Sequence, residues 1–174
     1  MISDRLRSVR CLTERLFSAL QRREPEAIAA CYEANAIFRA PILGDVLAHN
    51  LGPLWRAVFS STRENALAYT IVDVGLISAR VEGVASYVLV FSDRAVTTKF
   101  VATLRIRDLR IVYHEDNFDP WLWAQMAYGT RGLALGWSKA WQRRMRGQIR
   151  ADLRAAALSG PSQQEERSPH WCDK

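Results

Sequence analysis

The chain of 174 residues contains no run of about 18 consecutive apolar residues, so no membrane-spanning helix is expected. Its opening, MISDRLRSVRCL, is charged and lacks the apolar core of a secretion signal, which makes the cytoplasm the expected location. Cysteine is scarce. Cys11, Cys31 and Cys172 are odd in number, widely spaced and form no C-x-x-C, so they point to neither a disulfide framework nor a zinc site, and a reducing compartment fits them. The three histidines, His49, His114 and His170, share no metal-ligand spacing. The chain has no G-x-S-x-G elbow, no P-loop and no H-E-x-x-H. Gly129, Gly132 and Gly136 follow no strand directly and have the wrong spacing for a dinucleotide fingerprint. No cofactor and no metal are therefore expected.

Charge is present but uneven. The net charge is +6, yet positions 138–158 alone hold six basic residues (Lys139, Arg143, Arg144, Arg146, Arg150, Arg154) against one acid, Asp152. That segment reads as one amphipathic helix with Trp141, Met145, Ile149 and Leu153 as its apolar stripe. The plain reading of its arginines is a solvated face. The sharper one is contact with an anionic membrane surface. Nucleic acid is not expected as a partner, because the arginines lack interleaved exposed aromatics and no reader motif is present. Positions 159–174, SGPSQQEERSPHWCDK, are polar with two prolines and read as a disordered tail. The remaining 1–137 form one domain.

Within that domain helices come first. Apolar residues recur at helical spacing from Ser3 to Arg23, and Pro25 starts a short helix to Tyr32. Ala36–Arg39 reads as a short strand stopped by Pro41 and Gly44, and Asn50 as the cap of a helix carrying Trp55. After a linker at SSTREN, strands are expected over 68–77, 84–91 and 97–107, with turns at Gly83, at SDRA and at Arg107-Asp108. This order indicates an α+β fold, with an antiparallel meander covered by the N-terminal helices.

The stretch LRIVYHEDNFDPWLWAQMAYGTRGLALGW, from Leu109 to Trp137, carries the chemistry. It begins as a strand whose alternation puts Val112, His114, Asp116 and Phe118 on one face. Asp119 is a good N-cap and Pro120 a good first residue for the aromatic-rich helix that follows. An acid and an imidazole on one face, beside apolar side chains, suit general acid/base work, since a desolvated carboxyl holds its proton more tightly. Asp116 is the candidate catalytic acid/base and His114 its partner, the bland alternatives being a bonded carboxylate at a strand end and a satisfied half-buried histidine. Tyr32, Phe38, Trp55, Phe118, Trp121 and Trp123 are candidate walls for a small hydrophobic molecule, although aromatics of this kind are most often simply core.

The strand ending in H-x-D-x-F-D, followed by aromatics and G-L-x-L-G-W, resembles the SnoaL-like (polyketide cyclase-like) group of bacterial proteins in the nuclear transport factor 2-like superfamily. Upstream, AIAACYEANAIFRAPILGD and the helix containing Trp55 are similar to the opening of that family, and the likeness covers roughly residues 8 to 137. It implies a cystatin-like cone, with N-terminal helices on a curved antiparallel sheet, and acid/base carboxylates protruding into the cavity. It also implies a homodimer through the convex sheet face, to which Ile111 and Tyr113 would contribute. One departure matters. Ketosteroid isomerases of this fold carry an aspartate directly before the proline of the first strand, and here Ala40 precedes Pro41. Epoxide hydrolase relatives need a carboxylate–arginine–carboxylate set, for which Asp73, Arg105 and Asp116 are the residues to place. Three function classes follow: a cofactor-free isomerase, cyclase or hydrolase; a non-catalytic ligand-binding domain; and an interaction module using the basic helix.

Overall fold

A computed structural model describes residues 2–129 together with Arg143 and Gly147, which are helical. The disordered tail expected over 159–174 lies outside the described residues, as does most of the helix expected over 138–158.

The N-terminal helix α1 (Ile2–Arg22) turns Val9, Leu12, Thr13, Leu16, Phe17 and Ala19 inward, as the three-and-four spacing requires. Pro25 opens α2 (Pro25–Ala29), which is shorter than expected. Tyr32 is not its last residue but the first of β1 (Tyr32–Ala40). A short β2 (Gly44–Leu47), which the alternation did not reveal, folds back on β1. One 3-10 turn, Ala48–Asn50, leads into α3 (Leu51–Ser60), and the Asn50 side chain makes no capping hydrogen bond.

Four strands follow: β3 (Thr62–Val74), β4 (Ser78–Leu89), β5 (Arg94–Arg107) and β6 (Arg110–Asn117). Most of the SSTREN stretch therefore belongs to β3, and the turn expected at Gly83 lies instead at 75–77. Gly83 sits inside β4 because a Cβ there would come within 2.5 Å of the Phe100 ring and 2.7 Å of the Ala68 carbonyl. Its absence lets Phe100 lie across the strand and stack on Phe17. The turn between β5 and β6 holds both Asp108 and Leu109 at positive φ, 48° and 55°.

The strands form one curved, unclosed sheet in the order β2-β1-β6-β5-β4-β3. All neighbours are antiparallel except β1 and β6, which run parallel, a pairing the meander alone did not indicate. The helices cover the concave face, where Ala79, Val81, Ala102, Leu104 and Ile106 meet the inward stripe of α1 in one core. A second, smaller core forms where α4 (Pro120–Tyr128) packs Trp123, Ala124 and Ala127 against Leu89, Val96 and Ile42, and Phe118 touches both cores.

A register shift decides which β6 side chains enter. Arg105 pairs with Tyr113 but Ile106 with Ile111, so Val112 is an extra residue on β6. Ile111 and His114 therefore both face the core, and both are buried. Ile111 cannot contribute to a convex-face contact as strict alternation predicts, whereas Tyr113 remains on the convex side, under the guanidinium groups of Arg39 and Arg105.

Candidate functional site

The parallel pairing of β1 and β6 sets Tyr32 beside Ile111 and Phe38 beside His114. The Tyr32 ring then runs along the sheet toward His114, with 6.0 Å between ring centroids, and its hydroxyl lies 2.5 Å from His114 Nδ1. On the other side of the imidazole, Nε2 is 2.9 Å from Asp116 Oδ1. The three groups make a continuous hydrogen-bonded relay from the core outward.

Burial grades the relay. Tyr32 and His114 are 4% and 1% exposed, whereas the Asp116 side chain is 20% exposed. Burial pushes the Tyr32 phenol well above its ordinary pKa, and the charge of Asp116 adds to the effect, so the phenol keeps its proton. A carboxylate can only accept. The partners thus assign the ring proton to Nε2, which donates to Asp116, and leave Nδ1 to accept from Tyr32. Both ring nitrogens are occupied, and only the carboxylate is left to meet another molecule.

The rest of the predicted set divides. Phe38, buried, packs edge-on against His114 at 4.9 Å, and Trp55 packs on Phe38 at 6.0 Å and on Phe59 at 5.5 Å. The Trp55 Nε1 group is buried and meets no acceptor among the described residues. Phe118 continues the same face toward α4. Asp119 caps that helix as the sequence indicates, its Oδ1 accepting from the backbone N–H groups of Trp121 and Leu122 at 2.9 and 3.1 Å. Trp123 belongs to the second core, where its Nε1 donates to the Tyr87 hydroxyl at 2.7 Å. Trp121 joins neither core and is 43% exposed among the described residues, so it is not brought to the relay.

Nor does the structure assemble the carboxylate–arginine–carboxylate set. Arg105 lies over the Tyr113 ring on the convex side, and Asp73 is exposed on β3. Ala40 closes the inner face of β1, buried, with no carboxyl to offer. Among the described residues no group of three or more His, Cys, Asp or Glu side chains could hold a metal ion. No helix among them is long and apolar enough to cross a membrane. A separate surface depression, lined by Asp4, Arg7, Cys11, Arg15 and Leu109 among others, contains none of the predicted residues.

Sequence reasoning found His114 and Asp116 through their spacing on one strand. It named Tyr32 as a wall rather than as the third member of the relay, because the parallel pairing of β1 with β6 has no local signature.

No protein-family model matches the chain, and no curated protein matches it significantly. Solved structures do. An NTF2-like protein of unknown function from Burkholderia pseudomallei superposes with a TM-score of 0.62 at 22% identity, covering 70% of this chain and 98% of that one. A hypothetical protein from Catenulispora acidiphila with a ketosteroid isomerase-like fold, crystallised with trimethylamine, gives 0.61 at 11% identity, covering 67% and 91%. A candidate polyketide cyclase from Silicibacter sp. gives 0.59 at 12% identity, covering 66% and 93%. The fold is therefore that of the nuclear transport factor 2-like proteins, as the sequence resemblance implies.

Proposed function

We propose that the concave face binds a small hydrophobic molecule and that Asp116 moves a proton on it, in the manner of a cofactor-free isomerase or cyclase. The observation that carries this reading is the relay itself. A buried imidazole holds one oxygen of a partly exposed carboxylate, and a buried phenol fixes the tautomer of that imidazole. Asp116 Oδ1 is taken by His114, which leaves Oδ2 to accept a proton from the ligand. The carboxylic acid so formed can return that proton to a different atom, so the reaction needs no net gain or loss. His114 and Tyr32 do not touch the ligand. They hold the carboxylate in one orientation, which is the positioning that general acid/base catalysis depends on.

The second reading is a binder without turnover, favoured by Ala40 standing where isomerases of this fold carry their base. One experiment separates the two. Native mass spectrometry of the purified protein identifies a carried-over molecule, and the Asp116→Asn variant is then assayed with that molecule. Loss of turnover by roughly a hundredfold or more, with affinity nearly intact, is expected of the enzyme. A change confined to affinity would leave only the binder.

We also propose that two copies pair through the convex face. There Asp45, Arg39, Glu115, Thr103, Arg80 and Asp73 follow one another across the sheet, a mixed-charge row that can complement itself in a twofold contact. A monomeric mass by light scattering would contradict it.

A further inference from the structure

We propose that the outer side of α4, with the β4–β5 turn beside it, is the docking surface for positions 138–158 of the same chain, which lie on it through Trp141, Met145, Ile149 and Leu153. This goes beyond the reading of the concave face and does not depend on it.

The starting point is a surface helix with no charged side. α4 reads PWLWAQMAY. Trp123, Ala124 and Ala127 pack into the second core, and the opposite side is apolar too. Trp121 and Leu122 are exposed there. Val90 and Phe91 extend the patch from the β4–β5 turn, also exposed, with Phe91 packing on Tyr128 at 5.4 Å. Helix α1 shows the ordinary pattern, with Arg7, Arg10 and Glu14 on its outer face. A helix that is apolar all round belongs in a buried setting, and a contiguous exposed apolar patch marks a contact. Gln125 adds a demand of its own: its Nε2 is buried and meets no acceptor among the described residues.

Position, facing and composition assign the occupant. Phe91 meets the last residue of α4, so the chain leaves that helix at the rim of the patch. Positions 130–137 then have a reach of up to about 27 Å, ample for a helix to return antiparallel at a packing distance of about 10 Å. A segment tethered this closely is present at an effective concentration on the order of millimolar, which a second copy at micromolar concentration does not match. Arg143 and Gly147 are helical and exposed. At about 100° per residue they lie opposite Met145, as they must if Met145 faces the protein. The six basic residues of the segment all lie off that face. Gln142 and Gln148, three positions either side of Met145, flank the stripe and bring carbonyl oxygens for the Gln125 side chain.

The test uses the full-length protein. The photoreactive residue p-benzoylphenylalanine is placed at Leu122, irradiated, and its products are mapped by mass spectrometry. The expected product has the mass of one chain, with the link inside 138–158. Amide hydrogen exchange gives a second reading. Met145→Asp should speed exchange of the α4 amides about tenfold or more, while Gly147→Asp, which adds the same charge on the opposite side of the helix, should leave them unchanged. Core amides of β5 and β6 should keep their protection in both variants, which separates undocking from unfolding. A two-chain product would make a second copy the occupant. A product with no link to 138–158 would give the patch to a lipid surface or another protein. Either result would overturn the proposal, as would α4 exchange that ignores Met145→Asp.

Discussion

Glu115 and Asp116 are neighbours in β6, and each takes a hydrogen bond from an aromatic residue two positions earlier. Tyr113 donates to Glu115 Oε2 at 3.1 Å, and His114 lies 2.9 Å from Asp116 Oδ1. The two pairs are alike in sequence and opposite in setting. Tyr113 and Glu115 stand on the convex face beside Arg39 and Arg105, where water and mobile guanidinium groups can replace any bond that is lost. His114 and Asp116 stand on the concave face, where the next polar group is the buried Tyr32 hydroxyl and the surroundings are Phe38 and Leu104. One residue of displacement along a strand thus separates a pair flanked by guanidinium groups from a pair backed by a buried phenol. On the concave side the bond fixes the imidazole, because the buried ring has the Tyr32 hydroxyl on one nitrogen and the Asp116 carboxylate on the other.

The largest expected difference between the faces is in stability. His114→Ala removes a packed ring and strands the buried Tyr32 hydroxyl, and should cost about 3 kcal/mol in urea unfolding, whereas Tyr113→Ala should cost under about 1 kcal/mol. Equal costs would erase the contrast.

A smaller difference should separate the two tyrosines. Tyr32→Phe keeps the ring and removes one buried hydrogen bond, for about 1 kcal/mol, while Tyr113→Phe should be close to neutral. The sign of the pH effect follows from the direction of the Tyr32 shift. Burial raises the phenol above its ordinary value of about 10, so its contribution is whole below that pH and is lost as the pH rises through the folded value. Unfolding free energies at neutral and strongly alkaline pH should therefore converge between the unchanged protein and Tyr32→Phe. A gap that widens with pH would contradict the assignment of a buried, protonated phenol.

Much of this was legible in the sequence, and the exceptions have physical causes. The helical spacing in α1, the Asp119–Pro120 start of α4 and the shared face of His114 and Asp116 are local signals, and the structure carries all three. Alternation misplaced Ile111 because the extra residue at Val112 leaves no mark in composition. Gly83 reads as a turn because glycine usually punctuates, while here it yields space to Phe100 from a neighbouring strand. Tyr32 could not be joined to His114 in advance, since their contact spans 82 positions and depends on a parallel pairing that no hairpin announces.

The central claim is that His114 is held in one tautomer between a phenol and a carboxylate, and ring nitrogen–proton correlation NMR of His114 at neutral to mildly alkaline pH tests it most directly. The account predicts a proton on Nε2, slow to exchange with water, a bare Nδ1, and a clear change in both signals in Asp116→Asn and in Tyr32→Phe. A rapidly exchanging mixture of tautomers, unchanged by either substitution, would contradict it.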